Sequence, residues 1–487
     1  MKFNSLLSLV IYFIISITYA QNEGLPQDYL KKEFHKDRRA QLRKLLPNNS
    51  VAVFFANPVR NRANDVEYVY HQDPNFYYLS GYKEPHALLL IFKENQQINN
   101  KEVDEILFVQ ERNEYAEMWT GKRLGVGGAQ DDLGFRVAFN GKDFKSSKID
   151  FSKFDKILFE KFKNDVRDNR SSADLYDLIK TFKEKVSFDL VNLENPTNDK
   201  IYNDIKKRID NKSLSVLMGS LREIKTPEEL VLLKRAVEIS AIGQIEMMKA
   251  MHPKMSETEA QGVHEFVYKK YGAEYEGYPS IVGAGANGCV LHYVENNKTA
   301  VGEQNLVLMD LGAEYHGYTA DVTRTIPSNG KFSTEQKLIY DLVYKAQEAG
   351  INESKVGNKF TAPNDITKKI INKGLAELGI ISTSSSRHMY YPHGASHFIG
   401  LDVHDLGNYG DFKENMVITV EPGIYIPEGS PCDEKWWGIA VRIEDDILIT
   451  KNGPVNLSAM APRKSDEIEK VMQLPSALDS FILPSLD

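Results

Sequence analysis

The sequence predicts a chain in two parts: an α/β first half to about residue 220, then a second half in which acid-bearing strands are interleaved with helices. Three observations carry this. Short apolar runs at Val51–Ala56, Ala87–Phe92, Glu105–Val109 and Lys156–Phe159 alternate with helical stretches in the first half. Helix-start signals then recur: Thr226-Pro-Glu-Glu229, Ser256-Glu-Thr-Glu259 and Ser333-Thr-Glu-Gln336 each place a hydroxyl three residues ahead of Glu or Gln. Finally, Asp310, Asp321, His397, Glu421 and Glu444 each interrupt a short apolar segment, where an unpaired charge is expensive to bury.

The elements follow in order. Lys2 heads the apolar stretch Leu6–Ile17, and Thr18-Tyr-Ala20 supplies small residues at the cleavage positions. This reads as a secretory signal peptide over residues 1–20, cleaved after Ala20, so the protein is expected to be exported, periplasmic or secreted. The stretch is shorter than the ~20 residues of a membrane span, so no stable span is expected after cleavage. Residues 21–220 form the α/β domain, 221–473 the second domain and 474–487 a tail. Helices are predicted at about 227–250, 257–271, 334–350 and 364–379. Across 487 residues, 60 basic side chains against 68 acidic give a net charge of −8. Nothing there favours nucleic acid. The two cysteines, Cys289 and Cys432, lie far apart in sequence and are expected to be free, buried thiols.

The acids point to metal chemistry. Asn305–Ile326 looks like two strands folded about Tyr315-His316-Gly317. With the turn centred between Tyr315 and His316, Asp310 and Asp321 face each other directly, about 4.5–5.5 Å apart at Cβ. Two carboxylates so placed repel, and one takes a proton unless a cation lies between them. Met416–Glu421 is a strand ending at Pro422-Gly423, and Gly438–Ile449 alternates so that Arg442 and Glu444 share a face. Arg442 can pair with Glu444, orient it or hold a second acid. His393, His397 and His404 put three of the chain's 11 histidines in one glycine-rich segment, the group that both binds metals and moves protons near neutral pH. His292 follows the loop Gly283-Ala-Gly-Ala-Asn-Gly288, which fits neither nucleotide-binding glycine pattern. Four carboxylates and an imidazole form the donor set of a two-metal hydrolase.

The segments MDLGAEYHGYTADVTRT (309–325), HGASHFIGLDVHD (393–405), VEPGIYIP (420–427) and GIAVRIEDDILIT (438–450) resemble the metal-site blocks of the Xaa-Pro aminopeptidases, the aminopeptidase P group of the M24 peptidases. Residues 60–82 and 116–125 are similar to that group's amino-terminal domain. The resemblance spans roughly residues 28–473 and is weakest between about 140 and 215. It implies a creatinase-like α/β first domain and a "pita-bread" α+β catalytic domain. It also implies two divalent ions, manganese being usual and cobalt, zinc or iron allowed, sharing a bridging hydroxide as nucleophile. By resemblance Asp310 and His397 each bind one metal, Asp321 and Glu444 contact both metals or support the bridge, and Glu421 is a ligand and the proton shuttle. His393, His404 and Arg442 match residues that contact substrate or transition state, and His292 one near the proline side of the scissile bond. The implied substrates are peptides with proline in second position, and the implied assembly is a homo-oligomer, dimer or tetramer.

Two features depart from the family pattern: the loop Glu428–Trp437 and the exported amino terminus. A prolidase acting on Xaa-Pro dipeptides shares the metal blocks, but the 60–125 segment argues against it. Creatine amidinohydrolase and non-catalytic relatives of this fold lack ligands that are all present here.

Overall fold

The structure, a computed structural model, describes residues 28–98, 100–192 and 200–483; the leader expected at 1–20 lies outside the described residues. The first half is built on a six-stranded mixed sheet in the order Ala138–Asn140, Lys101–Val109, Leu88–Ile98, Ser50–Phe55, Lys156–Phe159, Ile209–Asp210. Strand alternation divides its side chains between two cores. Val51, Val53, Leu88, Leu90, Phe92 and Phe108 face a phenylalanine-rich layer with Phe144, Phe154 and Phe182. Ala52, Phe54, Leu89, Ile91 and Leu107 face the other way, into a core continuous with Leu233, Val237 and Met309 of the second half. One apolar layer therefore joins the sheet to the second half.

The helix starts fall where the capping chemistry puts them. Pro227–Ala250, Glu257–Lys270 and Thr334–Glu353 each begin with a complete capping box, on Thr226/Glu229, Ser256/Glu259 and Ser333/Gln336. The fourth helix is Ala362–Glu377. Among the described residues no helix is long and apolar enough to cross a membrane. Cys289 and Cys432 are free, as expected, but half-buried rather than buried.

The long helices cover two strand systems. Ile281–Ala284, Leu306–Leu311 and Val322–Pro327 form one sheet; Val417–Val420, Asp445–Thr450 and Gly453–Asn456 form another. Gly423–Ile426 pairs separately with Ile439–Arg442.

The hairpin register differs from expectation. Tyr315 pairs with Tyr318, so the turn falls on His316-Gly317, one residue later, and Asp310 stands opposite Thr323. Both turn residues have positive φ, 51° and 90°, the two-residue geometry that matches strand twist. Asp321 lies two residues from Thr323, hence on the same face as Asp310 but diagonal to it. The expected strand Gly438–Ile449 is also two strands, broken at Ile443-Glu444. Opposite this break lies Pro422, which has no N–H to donate. The Glu444 N–H turns instead to the Thr323 carbonyl at 3.1 Å, which stitches the two strand systems together.

These breaks aim the acids. Val420 pairs with Asp445 and Gly423 with Arg442, a register that sets Glu421 opposite Glu444. Glutamines from the covering helices satisfy backbone groups beside each interruption. Gln244 Nε2 donates to the Met309 and Val322 carbonyls at 3.1 and 2.7 Å, and Gln347 Nε2 to the Val420 carbonyl at 3.1 Å. At Gly312 the backbone of Ala320 comes so close that a Cβ would run into its carbonyl oxygen. Gly312→Ala should therefore destabilise the protein by ~1–3 kcal/mol through overpacking. Urea unfolding checks this; an unchanged midpoint would contradict so close an approach.

Candidate metal centre

The two strand systems meet at Thr323 and Glu444, and the acids converge there. Asp321, His397 and Glu444 each offer a ligand atom within 4.8 Å of the others, and all three are buried. Asp310 and Glu421 flank this trio. Tyr278 Oη lies 2.7 Å from Asp310 Oδ1 and 2.6 Å from Asp321 Oδ1, so one hydroxyl proton is shared between two carboxyl groups. Arg442 donates to Asp310 Oδ2 at 2.6 Å. Of the roles open to Arg442 in the sequence, it therefore takes that of holding a second acid. Its guanidinium also donates to Tyr425 Oη at 2.8 Å, and the Tyr425 hydroxyl is 2.8 Å from His393 Nε2. Asp310, Arg442, Tyr425 and His393 thus form one chain of polar contacts. Thr323 Oγ1 donates to Glu444 Oε2 at 2.6 Å.

The histidines have defined faces. His397 Nδ1 donates to the Phe398 carbonyl at 3.0 Å, which leaves Nε2 pointing at Glu421 Oε1, 3.3 Å away, and Asp321 Oδ2, 3.6 Å away. A backbone acceptor on one ring nitrogen commonly fixes a metal-binding imidazole in this way. His404 stacks on His397, ring centroids 4.0 Å apart and planes 7° from parallel. His393 Nδ1 donates to the Gly394 carbonyl and lies 3.5 Å from Glu421 Oε2. His292 is exposed, close enough to His404 for their charges to oppose. The four expected acids and the His397 imidazole, with Arg442, His393 and His404, therefore lie in or beside one site.

The electrostatics show how crowded the site is. Burial and the charges of Glu444 and Asp310 push the Asp321 carboxyl well above its usual range. Burial and the charges of Glu421 and Asp310 do the same to Glu444. Burial works against a charged His397, yet the hydrogen bond and charge of Glu421 carry its imidazole up to about 9. Burial likewise opposes ionisation of Glu421, but His397, His393 and Arg442 hold its carboxyl down to about 2. His404 is lowered by burial and by the charge of His397. Four carboxyl groups and one imidazole Nε2 in a buried site form the donor set of hard or borderline divalent cations, and the residues fit such ions.

Sequence reasoning missed Tyr278, Thr323 and Tyr425. Tyr425 was within reach: it lies two residues after Gly423, on the strand whose register pairs Gly423 with Arg442. Tyr278 sits outside any strand and carries no signal.

Residues 231–451 match metallopeptidase family M24, and residues 35–155 match the aminopeptidase P N-terminal domain. The chain is 33% identical over 458 residues to the Xaa-Pro aminopeptidase of Escherichia coli (strain K12), covering 91% of this chain and 98% of that protein. It is 35% identical over 460 residues to the Xaa-Pro aminopeptidase of Haemophilus influenzae, again covering 91% and 98%. The structure of E. coli aminopeptidase P with the inhibitor Pro-Leu superposes with a TM-score of 0.78 at 32% identity, over 91% of this chain and 98% of that one. The chain belongs to the M24 metallopeptidases, in their Xaa-Pro aminopeptidase group.

Since these side chains favour bound protons, His397 up to about 9, and metal ligands must be deprotonated, binding of a divalent cation at pH 7 should release protons. Calorimetric titration in buffers of different ionisation enthalpy reads this release. Heats that vary with the buffer are expected; equal heats in all buffers would contradict the protonated cluster.

Proposed function

We propose that this protein removes a single amino-terminal residue from peptides whose second residue is proline. The observation that carries this reading is the gathering of Asp310, Asp321, His397, Glu421 and Glu444 into one buried site, within a chain that spans almost the whole of a Xaa-Pro aminopeptidase. Two divalent cations, manganese foremost, would be held by these five side chains. When bound, such ions supply an acidified bridging water and polarise the scissile carbonyl.

The chain's own residues supply the rest. Glu421 is the most open of the four acids, its side chain 16% exposed against 7% for Asp321. That access suits it to take a proton from the attacking water and deliver it to the proline nitrogen, which must be protonated to leave. His393 and His404 flank the acids on the open side, where an imidazole N–H can stabilise charge on the carbonyl oxygen. Arg442 stands further in: it holds Asp310 in its ligand orientation and, through Tyr425, orients His393. His292 stands near His404, where the proline side of the bond would lie. The first half limits how much peptide precedes the bond; one support is the contact of His71 Nε2 with Glu314 Oε2, 2.8 Å, at the tip of the Asp310–Asp321 hairpin.

Three further readings belong to the proposal. Export follows from Lys2, the apolar stretch Leu6–Ile17 and the small residues ending at Ala20. A two-domain division near residue 220 follows from the changed pattern of elements. A homo-oligomer is supported by the exposed Tyr115, Met118 and Trp119 of the helix Glu114–Thr120.

A chromatographic time course with Xaa-Pro-Xaa-Xaa, Xaa-Ala-Xaa-Xaa and Xaa-Pro tests the substrate class. Only the first should lose its amino-terminal residue rapidly. Equal rates on the first two would remove the proline preference, and cleavage of the dipeptide alone would make the enzyme a prolidase.

A further inference from the structure

The segment after His397 is a closed loop. The strand Val417–Val420 holds its start, through the Thr419 N–H on the His397 carbonyl at 3.0 Å and the Ile399 N–H on the Val417 carbonyl at 3.3 Å. It then reverses at Gly400–Asp402 and returns, and the Asp405 N–H donates to the Phe398 carbonyl at 2.9 Å. His404 rides on the returning arm, its N–H donating to Asp402 Oδ1 at 3.3 Å. The arm is exposed at His404 and buried at Asp405.

What holds that arm from within is an ion cluster. The Asp405 carboxylate accepts from Arg222 on one oxygen and from Lys225 Nζ, at 2.7 Å, on the other. All three side chains are 3% exposed or less. Lys225 Nζ also donates to the Arg222 carbonyl at 2.6 Å, and Arg222 donates to Asn75 Oδ1 at 2.7 Å, on the helix Pro74–Ser80 of the first half. Gly400 packs onto the cluster so tightly that a Cβ there would meet Asp405 Oδ2 and Lys225 Nζ. A charged pair this deep is weak evidence of added stability, because desolvation offsets its attraction. Geometry is what it provides: two donors from the link between the halves set the end of the loop.

We infer that Arg222 and Lys225, acting through Asp405, are positioning residues for His404, holding loop 398–405 in the conformation that stacks the His404 ring on His397. This rests on the part assigned above to His404. Neither cation touches the acids of the metal site, so its composition should survive their loss.

The test is a double-mutant cycle on the metal-loaded enzyme, pairing Lys225→Met with His404→Ala. Lys225→Met alone should lower kcat by up to about 100-fold, the scale of a catalytic group moved by an ångström or so. KM should change far less, and metal content should stay at the wild-type value. In the His404→Ala background Lys225→Met should have little further effect on kcat, since the group it positions is gone. Losses that multiply would mean the cluster acts on general stability, and an unchanged kcat in Lys225→Met would mean it positions nothing; either overturns the inference. A silent His404→Ala would refute the part given to His404 and this role with it. A normal loss there with multiplying effects refutes only the positioning role. Asp405→Asn, which keeps the side chain's shape, is carried through the same cycle and decides the matter if Lys225→Met does not fold.

Discussion

Four carboxyl groups brought together out of water set the terms for the rest of this structure. Like charges at such distances raise one another's proton affinity, and burial raises it further. The crowding shows in three ways: Asp321 and Glu444 are pushed toward the neutral form, His397 toward the charged form, and Arg442 pairs with Asp310. Each response places positive charge where the acids demand it. Divalent ions do so more compactly, because one ion can face several carboxylates.

The backbone is built around that demand. A continuous ladder would have used its N–H and C=O groups up to the acids and left little freedom in where they point. Here the ladders stop beside them. Gly312 admits the Ala320 carbonyl, Pro422 withholds an N–H, and Glu444 donates across to the neighbouring strand system. Gln244 and Gln347 reach in from separate covering helices and bond backbone groups next to the gaps. Buried backbone groups need partners. These glutamines therefore belong to the site as much as to the helices.

Legibility in the sequence followed the range of the interactions. Capping boxes are contacts between residues three apart, and the helix starts at 227, 257 and 334 were readable residue by residue. The clustered acids were readable because an acid in an apolar run is a local contradiction that something must resolve. The hairpin register was not, since it turned on which residues adopt positive φ: His316 and Gly317 do, which moved the partner of Asp310 from Asp321 to Thr323. The shared face survived because strand alternation is indifferent to a two-residue slide in pairing. Tyr278 and Thr323 stayed hidden as ordinary residue types whose importance comes only from where the chain returns. The Lys225–Asp405 contact, between residues 180 apart, was beyond any local pattern.

Metal dependence is the most direct test of the whole account. Metal content and Xaa-Pro-peptide hydrolysis should be measured on the purified protein before chelation, after exhaustive chelation and after adding back a divalent cation. The account predicts two divalent ions per chain, activity lost with them and restored with them. Full activity in a preparation shown to be free of metal would contradict it.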